Sequence, residues 1–214
     1  MSINTQQYNF IKNSINQSNQ KSELMIVSKN RSVEDISNFI NLGHCHFGEN
    51  RIQEAKKKFI DTAVTNSKRI KLSLIGPLQS NKTALALEIF DSIHSIDRIK
   101  IIDEIAKYID RKNTKTSEFF IQINIGLELQ KSGIHPKDLK DLFLYAKNKS
   151  LKISGLMCIP PNDQNPQKYF SEMVSLRNSL DSQLALSMGM SHDYQIALDC
   201  GSNIIRVGSL LFND

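Results

Sequence analysis

The sequence predicts an α/β protein built as a single (β/α)8 barrel of the TIM type, with an extra helix at its N-terminus. Short apolar and β-branched runs alternate with longer amphipathic stretches along the whole chain after residue 20. Strict alternation favours a parallel sheet, and eight strands are the number that closes a barrel. No Pro- or Gly-rich linker divides residues 1–214, which indicates one domain. The pattern leaves an open, doubly wound sheet as the alternative.

The predicted strands are bounded by polar or turn-forming residues. They cover residues 23–29, 44–48, 71–77, 92–97, 119–125, 151–159, 184–189 and 203–208. Helices are predicted for residues 32–42, up to about 61, 82–90, 99–110, from about 136, 167–180 and 194–199. Ser32 begins the first of these with a cap-like Ser-Val-Glu-Asp sequence, and Pro136 suits a first helical turn because its missing N–H needs no partner there.

Composition limits the classes of partner. The net charge is +5, but the densest basic cluster, residues 56–58, lies on a predicted helix without interleaved aromatic residues. We interpret this cluster as a solvated helix face and expect no nucleic-acid partner. Cys45, Cys158 and Cys200 form no CxxC pair, so neither a zinc site nor a disulfide framework is indicated. Residues 1–20 are polar and resemble no signal peptide, so we expect a cytoplasmic protein without a membrane span.

Active sites of such barrels form at the carboxyl ends of the strands. Lys29 ends the first predicted strand after an apolar run, and partial desolvation there would favour the neutral amine that imine formation requires. The alternative is a lysine that extends into solvent. After the last two strands, Gly189, Gly208 and Ser209 permit close backbone approach, while Ser191 and Ser209 offer donors for a phosphate. A lysine that faces a phosphate pocket is more specific than either feature alone.

Six segments of the chain closely resemble the pyridoxal phosphate homeostasis protein family. They are Ile-Val-Ser-Lys-Asn at 26–30, Phe-Gly-Glu-Asn-Arg at 47–51, Leu-Ile-Gly-Pro-Leu-Gln-Ser-Asn-Lys at 74–82, Gly-Leu-Met-Cys-Ile-Pro at 155–160, Leu-Ser-Met-Gly-Met-Ser at 186–191 and Ile-Arg-Val-Gly-Ser at 205–209. The resemblance runs from about Leu24 to the end of the chain in the family's order. Members of this family resemble the barrel domain of alanine racemase without its second domain.

The resemblance implies a pyridoxal 5′-phosphate site. It makes Lys29 the lysine that holds the cofactor as a Schiff base, and it puts Asn50 beside the cofactor. It assigns the remaining contacts to phosphate-binding Ser191, Gly208 and Ser209, and to Arg206 facing the pyridine nitrogen. The sequence departs from the family pattern at Asn30 and at Ser209, where Thr is usual in both cases.

Two functions from different classes remain open at this point. Arginine donates a hydrogen bond to the pyridine nitrogen without releasing its proton, which weakens the electron sink that catalysis uses. The chain ends at Asp214, and we expect no second domain to supply a base. We therefore predict a monomeric homeostasis protein, not an enzyme, that exchanges cofactor with amino acids or with apo-enzymes that require it. The alternative is an amino-acid racemase or decarboxylase on the same barrel.

Two further features are open to functional interpretations. His44 and His46 alternate on a predicted strand, which would permit a metal site of a hydrolase, although the expected additional ligands are not evident. We expect ordinary strand histidines and no metal. Residues 126–133 form a long loop after the fifth strand, which is either a lid over the barrel mouth or a plain solvated connection.

Overall fold

The computed structural model describes residues 2–18, 21–62, 69–163 and 165–213, and it contains a closed barrel of parallel strands. The barrel strands are β2 (Glu23–Val27), β3 (His46–Glu49), β4 (Lys71–Leu74), β5 (Ser92–Ile96), β6 (Glu118–Ile123), β7 (Gly155–Cys158), β8 (Ala185–Ser187) and β9 (Ile204–Val207). Neighbouring strands pair in chain order, and β9 pairs with β2 to close the ring. The predicted barrel is confirmed, and the open-sheet alternative is wrong. Two short strands, β1 (Ser2–Ile3) and β10 (Phe212–Asn213), pair antiparallel as a separate sheet.

Helices connect the barrel strands, and one helix precedes the barrel as predicted. They are α1 (Thr5–Gln17), α2 (Val33–Asn41), α3 (Ile52–Ala55), α4 (Thr83–Ile89), α5 (Ile99–Ile109), α6 (Leu139–Asn148), α7 (Pro166–Leu180) and α8 (Tyr194–Asp199). A π-helix at Lys56–Asp61 continues α3. Ser32 caps α2 in a reciprocal capping box with Asp35, as its sequence indicated. None of the helices within the described ranges has the length and apolar character needed to cross a bilayer.

The barrel wall separates an apolar core, which lies between the strands and the helices, from a smaller and partly polar region inside the barrel. Alternate residues of each strand point outward into a large apolar core beneath the helices, which includes Ile26 and Phe47. Inside the barrel a smaller apolar cluster consists of Met25, Phe120, Met157 and Ile204. The buried polar side chains include Ser73, Ser92, His94, Ser187 and Arg206, which lie on four different barrel strands. The inside of the barrel is therefore only partly apolar.

Several strands are shorter than the sequence pattern predicts. Strand β4 ends at Leu74 rather than at residue 77, and β2 ends at Val27 rather than at residue 29. The residues beyond these ends form turns at the barrel mouth. Gly76 belongs to one such turn, where a Cβ atom would lie 2.1 Å from the backbone oxygen of Asn50. The apolar runs therefore continue past the paired strands into the walls of the mouth.

Candidate functional site

A cavity of about 530 Å³ opens at the carboxyl end of the barrel. The six residues to which the family resemblance assigned cofactor contacts all line it, namely Lys29, Asn50, Ser191, Arg206, Gly208 and Ser209. Apolar or small residues supply further walls, namely Val27, Ile75, Gly76, Pro77, Ile159 and Met190, and polar ones complete it, namely Gln122, Gln130, Lys131, Ser132 and His192. Barrel closure thus brings residues from both ends of the sequence to one place.

Lys29 lies in the turn directly after β2 and is exposed at the cavity rim. The expectation that its apolar strand would desolvate the amine is wrong, because the strand ends at Val27 and Lys29 lies exposed in the turn that follows. The next residue, Asn30, has a positive φ of 58°, a conformation that asparagine tolerates and β-branched residues avoid. Its backbone N–H donates to Glu54 at 2.6 Å. Asparagine instead of threonine at this position therefore suits the local backbone.

Beneath Lys29 lies a buried ion-pair cluster formed by Glu49, Glu54 and Lys58. The Lys58 Nζ atom donates to Glu49 at 3.0 Å and also to Glu54. A third donation, of 2.6 Å, reaches the carbonyl oxygen of Ser28, the residue before Lys29. Burial raises the pKa of Glu49, while the nearby Lys58 opposes that change. The cluster therefore joins the ends of β2 and β3.

The interpretation of residues 56–58 as a solvated helix face is wrong for Lys58. Lys56 and Lys57 are exposed, whereas Lys58 is 8% exposed. One lysine of this run therefore points inward. Its acidic partners, Glu49 and Glu54, precede it by nine and four positions. Glu54 at the i−4 position was the sequence signal that would have indicated this pair.

Arg206 lies within β9 and is the fully buried cation of the cavity. Its guanidinium donates to the carbonyl oxygen of Ser187 at 2.6 Å and to the hydroxyl of Ser187 at 2.8 Å. It also donates to the carbonyl oxygen of Cys158 at 2.7 Å. Burial lowers the pKa of Arg206 from its ordinary value. These contacts fix the plane of the guanidinium at the floor of the cavity.

Ser191 and Ser209 approach each other across the loops that follow β8 and β9. The Ser209 hydroxyl donates to the Ser191 hydroxyl at 3.1 Å, and Gly208 adjoins them. Ser209 also begins the 3₁₀ turn Ser209–Leu211, and the first N–H groups of a helical turn have no acceptor within the turn. Hydroxyl and amide donors thus converge at one edge of the cavity.

Gly189 has a different role from the one that the sequence suggested. Gly189 is not one of the residues that line the cavity. Its φ is +92°, and a Cβ atom at this position would lie 2.5 Å from the Cβ of Ala197. Glycine is therefore required by the backbone turn and by the packing of α8.

Residues 130–132 reach the cavity from the loop that follows β6, as the lid interpretation expects. The Gln122 side-chain amide donates to the Ser132 carbonyl oxygen at 3.1 Å. Lys131 pairs with Glu128 and donates to the Pro160 carbonyl oxygen at 3.1 Å. These contacts tie the loop to the barrel. Gln122 was missed by sequence reasoning because it resembles any inward polar residue of a strand.

His44 and His46 do not form a shared metal site. His44 contacts Tyr8 of α1, and its Nε2 atom donates to the backbone oxygen of His46 at 2.7 Å. Since a carbonyl oxygen only accepts, the His44 Nε2 atom carries the proton. The His46 ring instead contacts Ser73 and Glu23. Within the described residues, no group of three or more His, Cys, Asp or Glu side chains is arranged to hold a metal ion.

The donor set of the cavity fits a small anionic aldehyde. Lys29 supplies a primary amine, which condenses with aldehydes. Hydroxyl and amide donors at Ser191, Gly208 and Ser209 suit a phosphate dianion. The buried Gln122 Oε1 atom has no hydrogen-bond partner among the described residues, which leaves an acceptor for a ligand donor. Pyridoxal phosphate combines the aldehyde, the phosphate and polar ring atoms that these groups require.

Comparison with known proteins gives consistent matches over nearly the whole chain. The family model of the alanine racemase N-terminal domain matches residues 5–214. The pyridoxal phosphate homeostasis protein of Pasteurella multocida is 40% identical over 200 residues, covering 89% of this chain and 85% of that protein. The protein of the same name from Aquifex aeolicus is 37% identical over 201 residues, covering 90% and 86%.

Two solved structures illustrate the fold. PipY of Synechococcus elongatus, with pyridoxal phosphate bound, superposes with a TM-score of 0.82 at 30% identity, covering 97% of this chain and 99% of that chain. Alanine racemase of Acinetobacter baumannii gives a TM-score of 0.74 at 15% identity, covering 98% of this chain and 61% of that chain. At that identity, the likeness to alanine racemase is one of fold.

Proposed function

Because this chain belongs to the pyridoxal phosphate homeostasis protein family, within the alanine racemase N-terminal domain family, we propose that it binds pyridoxal 5′-phosphate in the barrel-mouth cavity. One observation carries the proposal: a single cavity of about 530 Å³ contains the Lys29 amine, the Arg206 guanidinium and the Ser191–Ser209 donors. The bound form of PipY, a structural relative, contains the same cofactor.

Lys29 is the proposed covalent attachment point, through a Schiff base. Its amine nitrogen bonds to the aldehyde carbon, and the aldehyde oxygen leaves as water. An exposed position at the cavity rim makes the amine accessible both to free cofactor and to competing amines. This accessibility suits a protein that takes up and releases the cofactor.

Ser191, Gly208 and Ser209 are the proposed phosphate ligands. Charge-assisted hydrogen bonds to a phosphate are the strong class, each contributing roughly 1.5–3 kcal/mol. Asn50 lines the cavity, and its backbone adjoins Gly76. Its side chain would contact the cofactor ring there. The phosphate contacts therefore account for most of the affinity, and Lys29 adds a reversible bond.

Arg206 favours storage and transfer over catalysis. Its guanidinium donates hydrogen bonds and keeps its proton, so a pyridine nitrogen beside it would remain unprotonated. When bound, the cofactor supplies an electrophilic carbon and an electron sink, and Arg206 leaves that sink weak. We propose intracellular cofactor homeostasis without efficient turnover, with apo-enzymes or amino acids as recipients. The three cysteines are free, which suits a reducing cytoplasm.

Chemical trapping tests the covalent assignment. Protein loaded with pyridoxal phosphate is reduced with borohydride, digested and mapped by mass spectrometry. We expect the pyridoxyl group on the Lys29 peptide, and we expect Lys29→Arg to lose it. Lys82→Arg, which changes another lysine after a barrel strand, serves as the control and should retain the label. A label on Lys131 or Lys82 in the unmodified chain would contradict the assignment.

Solvent deuterium exchange tests the absence of turnover. The loaded protein is incubated in D2O with L- and D-amino acids, and exchange at the α-carbon is followed by NMR. We expect exchange near the level of the Lys29→Ala control. Lys29-dependent exchange, racemisation or decarboxylation at about 1–1000 per second would make the chain an enzyme.

A further inference from the structure

A continuous series of hydrogen bonds crosses the inside of the barrel. It begins in the cavity, where Arg206 donates to the Ser187 hydroxyl at 2.8 Å. Ser187 lies 3.0 Å from the Nδ1 atom of His94, and the other ring nitrogen of His94 lies 3.0 Å from Ser92. These contacts join β9 and β8, which are consecutive strands, to β5, which is remote from both in sequence.

The series continues to the opposite end of the barrel. Ser92 lies 2.6 Å from the Ser73 hydroxyl, which lies 2.9 Å from the Nε2 atom of His46. The Nδ1 atom of His46 lies 3.2 Å from the carboxylate of Glu23. Glu23 begins β2, and Val27 at the end of the same strand lines the cavity. The series therefore runs the length of the barrel.

Elementary donor and acceptor rules give the series a single direction at the Arg206 end. A guanidinium only donates, so the Ser187 oxygen accepts and the Ser187 proton is available for the Nδ1 atom of His94. Burial lowers the pKa of His94 well below its ordinary value, which leaves the ring neutral. A neutral ring that accepts at Nδ1 carries its proton on Nε2, and it donates that proton to Ser92.

The same rules fix the second half. Ser92 accepts from His94 and therefore donates to Ser73. Ser73 in turn donates to the Nε2 atom of His46, so the proton of the neutral His46 ring lies on Nδ1, 3.2 Å from the Glu23 carboxylate. This last contact is a charge contact without hydrogen-bond geometry, whereas each hydroxyl and the His94 ring accept once and donate once.

The two ends of the series carry opposite charges. The close contact with His46, reinforced by Lys71 against partial burial, lowers the pKa of Glu23 to about 2. Glu23 is therefore a carboxylate at neutral pH. A buried guanidinium at one end and a carboxylate at the other both favour the same polarisation of the intervening bonds. The buried members are 0% to 5% exposed, so bulk solvent competes little for their hydrogen bonds.

We propose that this directed series of contacts, the relay, orients the Arg206 guanidinium toward the cavity and is anchored at its other end by Glu23. The positioning residues of the relay are Ser187, His94, Ser92, Ser73 and His46. The effect on bound cofactor rests on the proposed function, whereas the direction of the relay and the orientation of Arg206 do not. A change at Glu23, at the amino end of β2, then alters the orientation of Arg206 in the cavity.

Nitrogen NMR of the histidine rings tests the direction without any cofactor. Long-range ¹H–¹⁵N spectra of the purified full chain distinguish the two neutral tautomers. We expect His94 as the Nε2–H tautomer and His46 as the Nδ1–H tautomer at neutral pH. Either ring in the opposite tautomer, or a charged His94, would overturn the relay.

Two variants test the coupling, each with a matched control. Ser187→Ala removes the hydroxyl between Arg206 and His94, and we expect mixed tautomers at both His94 and His46. Ser95→Ala removes a buried hydroxyl without a partner among the described residues and should leave both rings unchanged.

The second variant changes the other end of the series. Glu23→Leu should shift the His46 and His94 signals, whereas Glu118→Leu should not, although Glu118 also pairs with Lys71 at 3.0 Å. A response confined to the ring nearest the change would overturn the proposal.

The loaded protein supplies an independent arm. If pyridoxal phosphate binds, Glu23→Leu should shift the absorption maximum of the bound cofactor, while Glu118→Leu should not. An unshifted maximum with altered tautomers would refute the effect on the cavity. If no cofactor binds to the unmodified chain, the proposed function fails, and the NMR result still decides the relay.

Discussion

The Lys58 Nζ atom lies 3.0 Å from Glu49 Oε1, and both side chains are buried beneath the strand ends that carry Lys29 and Asn50. Removing one member of a buried pair leaves an uncompensated charge. We expect Lys58→Met to reduce the free energy of unfolding by about 3 kcal/mol, measured by urea denaturation.

Neighbouring lysines provide the control for this change. Lys56→Met and Lys57→Met alter exposed positions of the same segment and should change stability by less than about 0.5 kcal/mol. Adding Glu49→Gln to Lys58→Met should recover part of the loss, since the uncompensated carboxylate is then removed. Equal losses for all three lysine variants would show that the ion pair contributes nothing specific.

Gly76 is a point of close approach between two loops at the barrel mouth. A Cβ atom there would lie 2.1 Å from the Asn50 backbone oxygen, so Gly76→Ala must displace one of the two loops. We expect a stability loss of about 1–3 kcal/mol and a lower affinity for pyridoxal phosphate. Thermal denaturation and equilibrium titration measure the two effects. Unchanged values for both would mean that the loops tolerate separation.

Gly208 tests the proposed phosphate subsite. A Cβ atom there would lie 3.3 Å from Val27, so Gly208→Ala requires only a small adjustment. This variant should retain most of the affinity for the cofactor. Gly208→Asp adds a negative charge beside the phosphate and should nearly abolish binding. Pyridoxal without phosphate should bind at least about 100-fold more weakly than the phosphorylated form. Equal affinity of the two aldehydes, measured by titration, would refute the subsite.

His44 makes stability depend on pH. Burial lowers the pKa of His44 from 6.5 to about 4, so the unfolded chain binds a proton more readily than the folded chain between these values. This contribution is complete above about pH 6.5 and is lost as the pH falls toward about 4. It amounts to about 3 kcal/mol, on the basis of 1.36 kcal/mol per pKa unit.

Urea denaturation between pH 4 and pH 8 measures this contribution as a difference between variants. His44→Gln should flatten the decline of stability below pH 6.5. His135→Gln changes a histidine in an exposed turn and should leave the decline as it is. Identical pH profiles for the unmodified chain and His44→Gln would show that other groups cause the dependence.

The architecture and the family were predictable from local features of the sequence. Short apolar and β-branched runs indicated the barrel strands, and amphipathic stretches indicated the connecting helices, because both features depend on neighbouring residues only. The sequence also predicted that Lys29, Arg206 and Ser209 lie near one another, because the carboxyl ends of barrel strands meet at one mouth. The three residues line the same cavity in the structure. Their cofactor-binding roles stay predictions. The strand ends were predicted too long because an apolar run does not mark where strand pairing stops.

Burial and partner choice were decided by the tertiary structure. Residues 56–58 are three identical lysines in sequence, yet only Lys58 meets two carboxylates. His94 and Ser187 are 93 positions apart and meet only because the barrel closes. By itself the sequence determined which residues lie at the mouth of the barrel, because they follow the predicted strands. Which inward polar groups touch, and therefore which protons and charges are fixed, follows from contacts between remote strands, which no local pattern encodes.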